Sequence, residues 1–189
     1  MKQKKGLVLW ICGLPGSGKS TIAKIVLRKL AKEHSLQFAY LSMDEIRKMI
    51  FTEPTYDDRE RDAAYRMIVL IASFLSKSGV SVLIDATAHR RVWRDLARRE
   101  LGEKYLEAYV KCPIEICIER ETKRENGNVR RRLYEDALER SKTGKEVSGL
   151  GKVPGVDEPF EESDAEIVVD SLKNSPEQAA GIIVDRASS

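Results

Sequence analysis

The sequence is poor in the residues that staple or anchor a chain. It has three cysteines, Cys12, Cys112 and Cys117, with no CxxC pair and no histidine-rich cluster beside them, which argues against a zinc site. Each lies in or beside an apolar run, so buried free thiols in a reducing cytoplasm are expected. No stretch approaches the ~20 apolar residues of a membrane helix. The basic start Met1–Lys5 leads into an apolar run, Leu7–Cys12, that is too short for a signal peptide and ends in glycines and Lys19 rather than a cleavage site. Neither charge sign dominates: 33 Lys+Arg stand against 30 Asp+Glu. No extended nucleic acid is therefore expected as a partner, and any anion site must come from local placement of basic residues. These absences together predict a soluble cytoplasmic protein with no membrane partner.

What is present suits one domain over 1–189. Hydrophobic residues make up 42% of the chain, and a chain of this length buries roughly 70% of its unfolded surface without staples. Short apolar runs alternate with longer amphipathic segments. The candidate strands are Leu7–Cys12, Phe38–Ser42, Val80–Asp85, Ala108–Cys112 and Ile167–Asp170. Their unbroken Val, Ile and Leu content is that of strands covered on both faces. Helices are expected over Gly18–Glu33, Asp44–Ile50, Asp57–Ser78, Arg90–Leu101, Pro113–Glu121, Arg131–Thr143 and Pro176–Ala187. Strand–helix–strand repetition of this length predicts an α/β fold, a five-stranded parallel sheet with helices on both faces. Thr122–Gly155 breaks the rhythm. It is rich in charge and glycine, with little apolar content after Thr143 and five basic residues between Lys123 and Arg132. Such a segment reads as a mobile lid over an anionic substrate, or as a solvated loop.

Gly13-Leu14-Pro15-Gly16-Ser17-Gly18-Lys19-Ser20 matches G-x-x-x-x-G-K-[ST], between an apolar strand and an amphipathic helix that continues from Thr21. The glycines let backbone N–H groups approach phosphate oxygens where a Cβ would obstruct them. The helix N-terminus adds unpaired donors and a positive dipole end. Lys19 is expected to bridge the β- and γ-phosphates of ATP, and the Ser20 hydroxyl to ligate Mg²⁺. A guanine-reading N/T-K-x-D tetrad is missing, which disfavours a GTPase.

Two carboxylates stand at predicted strand ends. Asp44, in Ser42-Met43-Asp44-Glu45-Ile46-Arg47, is placed either to take a proton from an acceptor hydroxyl or to cap the helix that follows. Arg47 lies one turn beyond it on the same side. Asp85 ends an apolar strand in the manner of a Walker B acid that steers Mg²⁺ through water. Thr87, His89, Arg90 and Arg94 follow at the sheet edge where ligands collect. A lone histidine such as His89 reads as a surface residue, and Arg98 and Arg99 as a solvated helix face.

At these residues the sequence resembles the adenylylsulfate kinases, P-loop enzymes that use ATP and Mg²⁺ to phosphorylate the ribose 3′-hydroxyl of adenylylsulfate. Gly13–Thr21 is similar to their P-loop. Asp44-Glu45-Ile46-Arg47 and Asp58-Arg59 resemble an Asp-x-x-Arg and an Asp-Arg element. Tyr109–Cys117 resembles the family's fourth-strand segment, and Gly155-Val156-Asp157-Glu158-Pro159-Phe160-Glu161 its Gly-Ile-Asp-Asp-Pro-Tyr-Glu stretch. The resemblance implies Asp44 as base and Arg47 and Arg59 as ligands of adenylylsulfate, with Phe51 or Tyr56 stacking on a base. Thr87 and Arg90 stand where the family has Ser-Pro-x-Arg, and with Lys152 they complete the expected acceptor set. Arg120 and Arg124 are expected on ATP, with Arg130 and Arg131 as further lid arginines. The resemblance also implies a homodimer, which no sequence feature itself demonstrates. The chain departs from the family at Met43, where a glycine is usual, and at Val153-Pro154, where an aromatic stacks on adenine. Asp44-x-x-Arg47 with Asp85 and Arg94 is also similar to polynucleotide kinases and small-hydroxyl kinases. A sugar, an antibiotic, a polynucleotide 5′-end or another nucleotide conjugate therefore stays open as acceptor, as does a nucleotide-binding module without transfer activity.

Overall fold

The computed structural model describes residues 4–123 and 132–188. Five strands, β1 (Val8–Cys12), β2 (Phe38–Ser42), β3 (Ser81–Asp85), β4 (Tyr105–Lys111) and β5 (Ile167–Asp170), form one parallel sheet in the order β2-β3-β1-β4-β5. Seven helices are described: α1 (Lys19–His34), α2 (Met43–Ile50), α3 (Asp58–Lys77), α4 (Arg91–Leu101), α5 (Ile114–Thr122), α6 (Leu133–Thr143) and α7 (Pro176–Ala187). None of the described helices is long and apolar enough to cross a membrane. The expected α/β architecture is the observed one, with most boundaries within a residue or two.

Every residue of β1 is buried, as a strand covered on both faces requires. Alternation sends Val8, Trp10 and Cys12 to one side, where they meet Tyr65 and Ile68 of α3 and Trp93 and Ala97 of α4. Leu9 and Ile11 face the other side and pack with Ile22, Val26 and Leu30 of α1 and Ala180, Ile183 and Val184 of α7. Ser175 caps α7 in a reciprocal capping box with Gln178, and Pro176 occupies its first turn.

Strand β4 begins three residues earlier than its sequence suggests, because Glu107 is buried inside it. Glu107 is neutralised by Arg94 of α4, with Arg94 Nε 2.9 Å from Glu107 Oε1, and it also accepts a bond from the Ser163 hydroxyl. Arg94 Nη1 donates to the Ala88 carbonyl and Nη2 to the Glu161 carbonyl. It is therefore a buried structural cation that ties the β3–α4 loop to the segment before β5, and it does not stand at an open sheet edge.

A third apolar cluster lies beside the sheet, where Tyr134 and Ala137 of α6 and Leu150 and Val153 beyond it pack on Leu14, Cys112 and Cys117. The stretch after Thr143 holds few apolar residues, but those few are the buried ones. Its described part is thus a packed roof rather than a solvated loop. The three cysteines are buried and unpaired.

Candidate active site

The strand order puts three strand ends side by side. In the sheet Ile11 pairs with Asp85, and Ser42 pairs with Asp85 from the other flank. The ends of β1, β3 and β2 therefore stand side by side, about 4.8 Å from strand to strand, and carry the P-loop, Asp85 and, just beyond Ser42, Asp44 to one edge of the sheet. This is also the switch point of the sheet, since the chain leaves β1 towards β2 on one side and later returns to β4 on the other.

The P-loop is held open by backbone rather than by side chains. Gly16 has φ +82° and its absent Cβ would lie 2.4 Å from the Cys117 carbonyl, so α5 leaves no room for any other residue. Gly18 precedes α1 in a left-handed conformation and offers no side-chain cap. The first N–H groups of α1 consequently meet the site with no capping side chain, which is the arrangement that binds anions. Tyr134 of α6 donates to the Pro15 carbonyl at 2.9 Å and fixes the roof to the loop.

One cleft of about 760 Å³, its open mouth included, runs from the P-loop to the second and third strand ends. On one side it is lined by Pro15, Lys19 and Ser20, and on its floor by Asp44, Asp85 and Thr87. The far wall carries Arg47, Tyr56, Arg61 and Tyr65, and the roof Leu133, Lys152, Val153 and Pro154. Asp85 is buried. Its Oδ2 accepts a bond from the Tyr40 hydroxyl at 2.8 Å, and its Oδ1 has no hydrogen-bond partner among the described residues. A buried carboxyl oxygen left unpaired in this position suits a hard cation or its water.

A second, shallower groove on the outer side of the P-loop is formed by Gly16, Gly18, Thr21 and Arg120. There Arg120 Nη1 reaches the Ser17 carbonyl at 3.4 Å and the Ser171 hydroxyl at 3.3 Å. Arg120 thus lies beside the phosphate loop. Arg124, Arg130 and Arg131 lie outside the described residues.

Several expected residues stand elsewhere. Asp44 is not the cap of α2, because the helix begins at Met43 and Ser42 holds the capping position. Asp44 lies in the first turn and lines the cleft. Phe51 packs against the core cluster of α3 and α4 instead of facing the cleft, and of the two expected aromatics it is Tyr56 that lines the wall, next to the buried Tyr65. Arg59 is exposed on α3, and Arg61 takes the place at the cleft. The reason is helical phase. Asp57 caps α3 by accepting from the Glu60 amide, which turns 60, 61, 64, 65 and 68 inward and 59 outward. The Asp57 cap was the available signal for Arg61.

Arg90 does not line the cleft. It donates to Glu158 at 3.0 and 2.6 Å and to Asp58 at 2.7 Å. Lys152, 2.9 Å from Glu158 Oε1, joins the same cluster and also borders the cleft. His89 is not a surface residue. It is wholly buried, with Nε2 2.8 Å from Glu158 Oε2. Burial pushes its pKa below the ordinary value, so it is neutral, while the Arg90 bonds hold the Glu158 carboxyl far below the usual range in spite of its partial burial. Arg98 is half-exposed and bridges Glu166 and Glu107, whereas Arg99 is on the solvated face.

Comparison with known proteins agrees with this geometry. The family model described as adenylylsulphate kinase matches residues 5–170. The chain is 32% identical over 168 residues to a probable adenylyl-sulfate kinase of Archaeoglobus fulgidus, covering 88% of this chain and 97% of that one. It is 33% identical over 186 residues to an adenylyl-sulfate kinase of Bacillus velezensis, covering 96% and 84%. Among solved structures, the Mycobacterium tuberculosis APS kinase CysC in complex with AMPPNP and APS superposes with a TM-score of 0.78 at 25% identity, over 98% of this chain and 99% of that one.

Proposed function

The chain belongs to the adenylylsulphate kinase family, and we propose that it transfers the γ-phosphoryl group of ATP to the 3′-hydroxyl of adenylylsulfate, giving 3′-phosphoadenylylsulfate. The observation that carries the reading is the composition of the cleft. A P-loop lysine and serine face two arginines, a lysine and a tyrosine ring across a floor of two carboxylates. Phosphates suit the first wall, and an anionic, ring-bearing acceptor the second.

In this reading Asp44 accepts the proton of the attacking hydroxyl as its oxygen bonds to the γ-phosphorus and the bond to ADP breaks. Lys19 follows the charge from the β- to the γ-phosphate. Ser20 and Asp85 would hold Mg²⁺, and the unpaired Asp85 Oδ1 fits that group. Bound there, such an ion would supply neutralisation of phosphate charge. Arg47, Arg61 and Lys152 orient the acceptor anion beside Tyr56, and Arg120 steadies ATP from the outer groove. The segment 122–155 acts as the lid of a single domain, excluding water and so suppressing ATP hydrolysis. The same reading carries a place in sulfate assimilation, a cytoplasmic location consistent with three free thiols, and pairing of two copies, which sedimentation would test.

One observation favours a second acceptor on the same scaffold. The roof presents Val153 and Pro154 to the cleft, so a base finds no stacking ring on that side. Losing one stacking face costs ~1–3 kcal/mol per base. ADP release from Mg·ATP, measured with adenylylsulfate beside a panel of nucleotides, sugars and 5′-hydroxyl oligonucleotides, decides. Strong stimulation by adenylylsulfate is expected. A response to another compound alone would move the acceptor, and silence throughout would leave a binding module. Lys19→Ala is expected to abolish turnover, and Asp44→Asn to cut it severely while ATP still binds. Full activity in Asp44→Asn would remove Asp44 as base.

A further inference from the structure

Glu60 stands behind the cleft wall rather than in it, and both of its carboxylate oxygens are engaged. Its Oε1 pairs with Arg47. Its Oε2 accepts from the Thr55 amide, from the Thr55 hydroxyl at 3.0 Å and from the Tyr56 amide at 3.0 Å. Burial raises the carboxyl, but the amides of Tyr56 and Thr55, the Thr55 hydroxyl and Arg47 outweigh it, so the group is pulled below its ordinary value and is ionised.

Both groups so held belong to the cleft. The Arg47 guanidinium carbon lies 4.7 Å from the centroid of the Tyr56 ring. Tyr56 has φ +57°, a left-handed conformation that costs an aromatic residue about 1–2 kcal/mol and persists only where its surroundings over-determine it. Here they do. Glu60 takes its amide, and Arg61 Nε donates to its carbonyl at 2.8 Å.

We propose that Glu60 is a positioning residue of the acceptor site, one carboxylate that aims the Arg47 cation and sets the Tyr56 ring beside it before the acceptor arrives. The inference rests on the reading of this wall as the acceptor side. It adds a reason why a buried acid is needed where the acceptor is itself an anion. A guanidinium held by one oxygen, with the ring fixed by the other, loses little freedom on binding.

The test compares wild type with Glu60→Gln, which keeps the shape but loses the charge and one acceptor oxygen. The KM for adenylylsulfate is expected to rise about tenfold, with the KM for ATP unchanged, because no P-loop group touches Glu60. The Thr55 and Tyr56 amides are expected to exchange hydrogen faster. A rise of both KM values together, or an unchanged acceptor KM, would show a merely structural acid and overturn the proposal, as would unchanged amide exchange. Should wild type fail to phosphorylate adenylylsulfate, the functional reading falls and the exchange measurement still decides the clamp. Should Glu60→Gln not fold, Glu60→Asp, too short to serve both groups, carries the same two measurements.

Discussion

Tyr40 of β2 donates its hydroxyl to Asp85 Oδ2 of β3 at 2.8 Å and leaves Asp85 Oδ1 buried without a partner among the described residues. One oxygen is held by that bond, and the other is left for a cation or its water at the cleft floor. Asp85→Asn is accordingly expected to lower turnover on the order of a hundredfold. Tyr40→Phe removes only the orienting bond, worth about 1 kcal/mol, and should raise the Mg²⁺ concentration needed for half-maximal rate roughly fivefold. A Mg²⁺ titration of the rate checks both. An unaltered requirement in Tyr40→Phe would mean that the sheet alone orients Asp85.

That orienting bond marks the limit of what the sequence tells. The P-loop, the strand ends and Asp85 are legible because each is a local pattern, an apolar run followed by a defined residue type. The choice of Arg61 over Arg59 is not legible in the same way, because it depends on the phase of α3, which one cap at Asp57 fixes. The early start of β4 and the burial of His89 and Arg94 were illegible for a different reason. Each polar group is made tolerable by a partner distant in sequence, Arg94 by Glu107 and His89 by Glu158, and a local reading sees only a charge that belongs outside.

The Arg94–Glu107 pair is itself a stability prediction, since the two side chains are 0% and 1% exposed. Arg94→Met leaves Glu107 buried with only the half-exposed Arg98, 3.5 Å from its Oε2, as counter-charge, and should cost roughly 3 kcal/mol in urea unfolding. Replacing both, Arg94→Met with Glu107→Leu, should recover part of that loss. Recovery stays incomplete because Arg94 also serves the Ala88 and Glu161 carbonyls. A double variant no better than the single one would locate the loss in those carbonyls rather than in the stranded acid.

His89 makes the fold acid-sensitive in a definite window. Burial lowers its pKa from 6.5, with the Arg61 and Arg90 charges adding to the shift and Glu158 opposing it. A group whose folded pKa is depressed stabilises the protein above the unfolded value and loses that contribution as pH falls from 6.5 towards the folded value. Glu158, also depressed, begins to lose its contribution only as pH falls below its ordinary value of 4.5. Of the two, His89 therefore governs between 6.5 and 4.5. His89→Gln, which keeps a donor for Glu158, should flatten the fall of Tm in that interval, by about 2–4 °C for each kcal/mol removed. An unchanged slope would assign the acid sensitivity to other groups.

Two glycines of the roof separate backbone conformation from close approach. Gly144 and Gly151 both have left-handed φ, +71° and +52°, so alanine at either costs about 1–2 kcal/mol of conformational strain. An alanine Cβ at 144 meets nothing within 4 Å, whereas one at 151 would lie 2.4 Å from the Tyr56 carbonyl and 2.7 Å from its Cβ. That contact must push the roof away from Tyr56 or turn the ring out of the cleft, while the P-loop stays as it was. Both variants should therefore lose some stability, but only Gly151→Ala should raise the KM for the acceptor, with the KM for ATP unchanged in either. Equal acceptor KM values in the two variants would mean that the roof segment gives way without disturbing Tyr56, and that the ring's setting is decided by Glu60 and Arg61 alone.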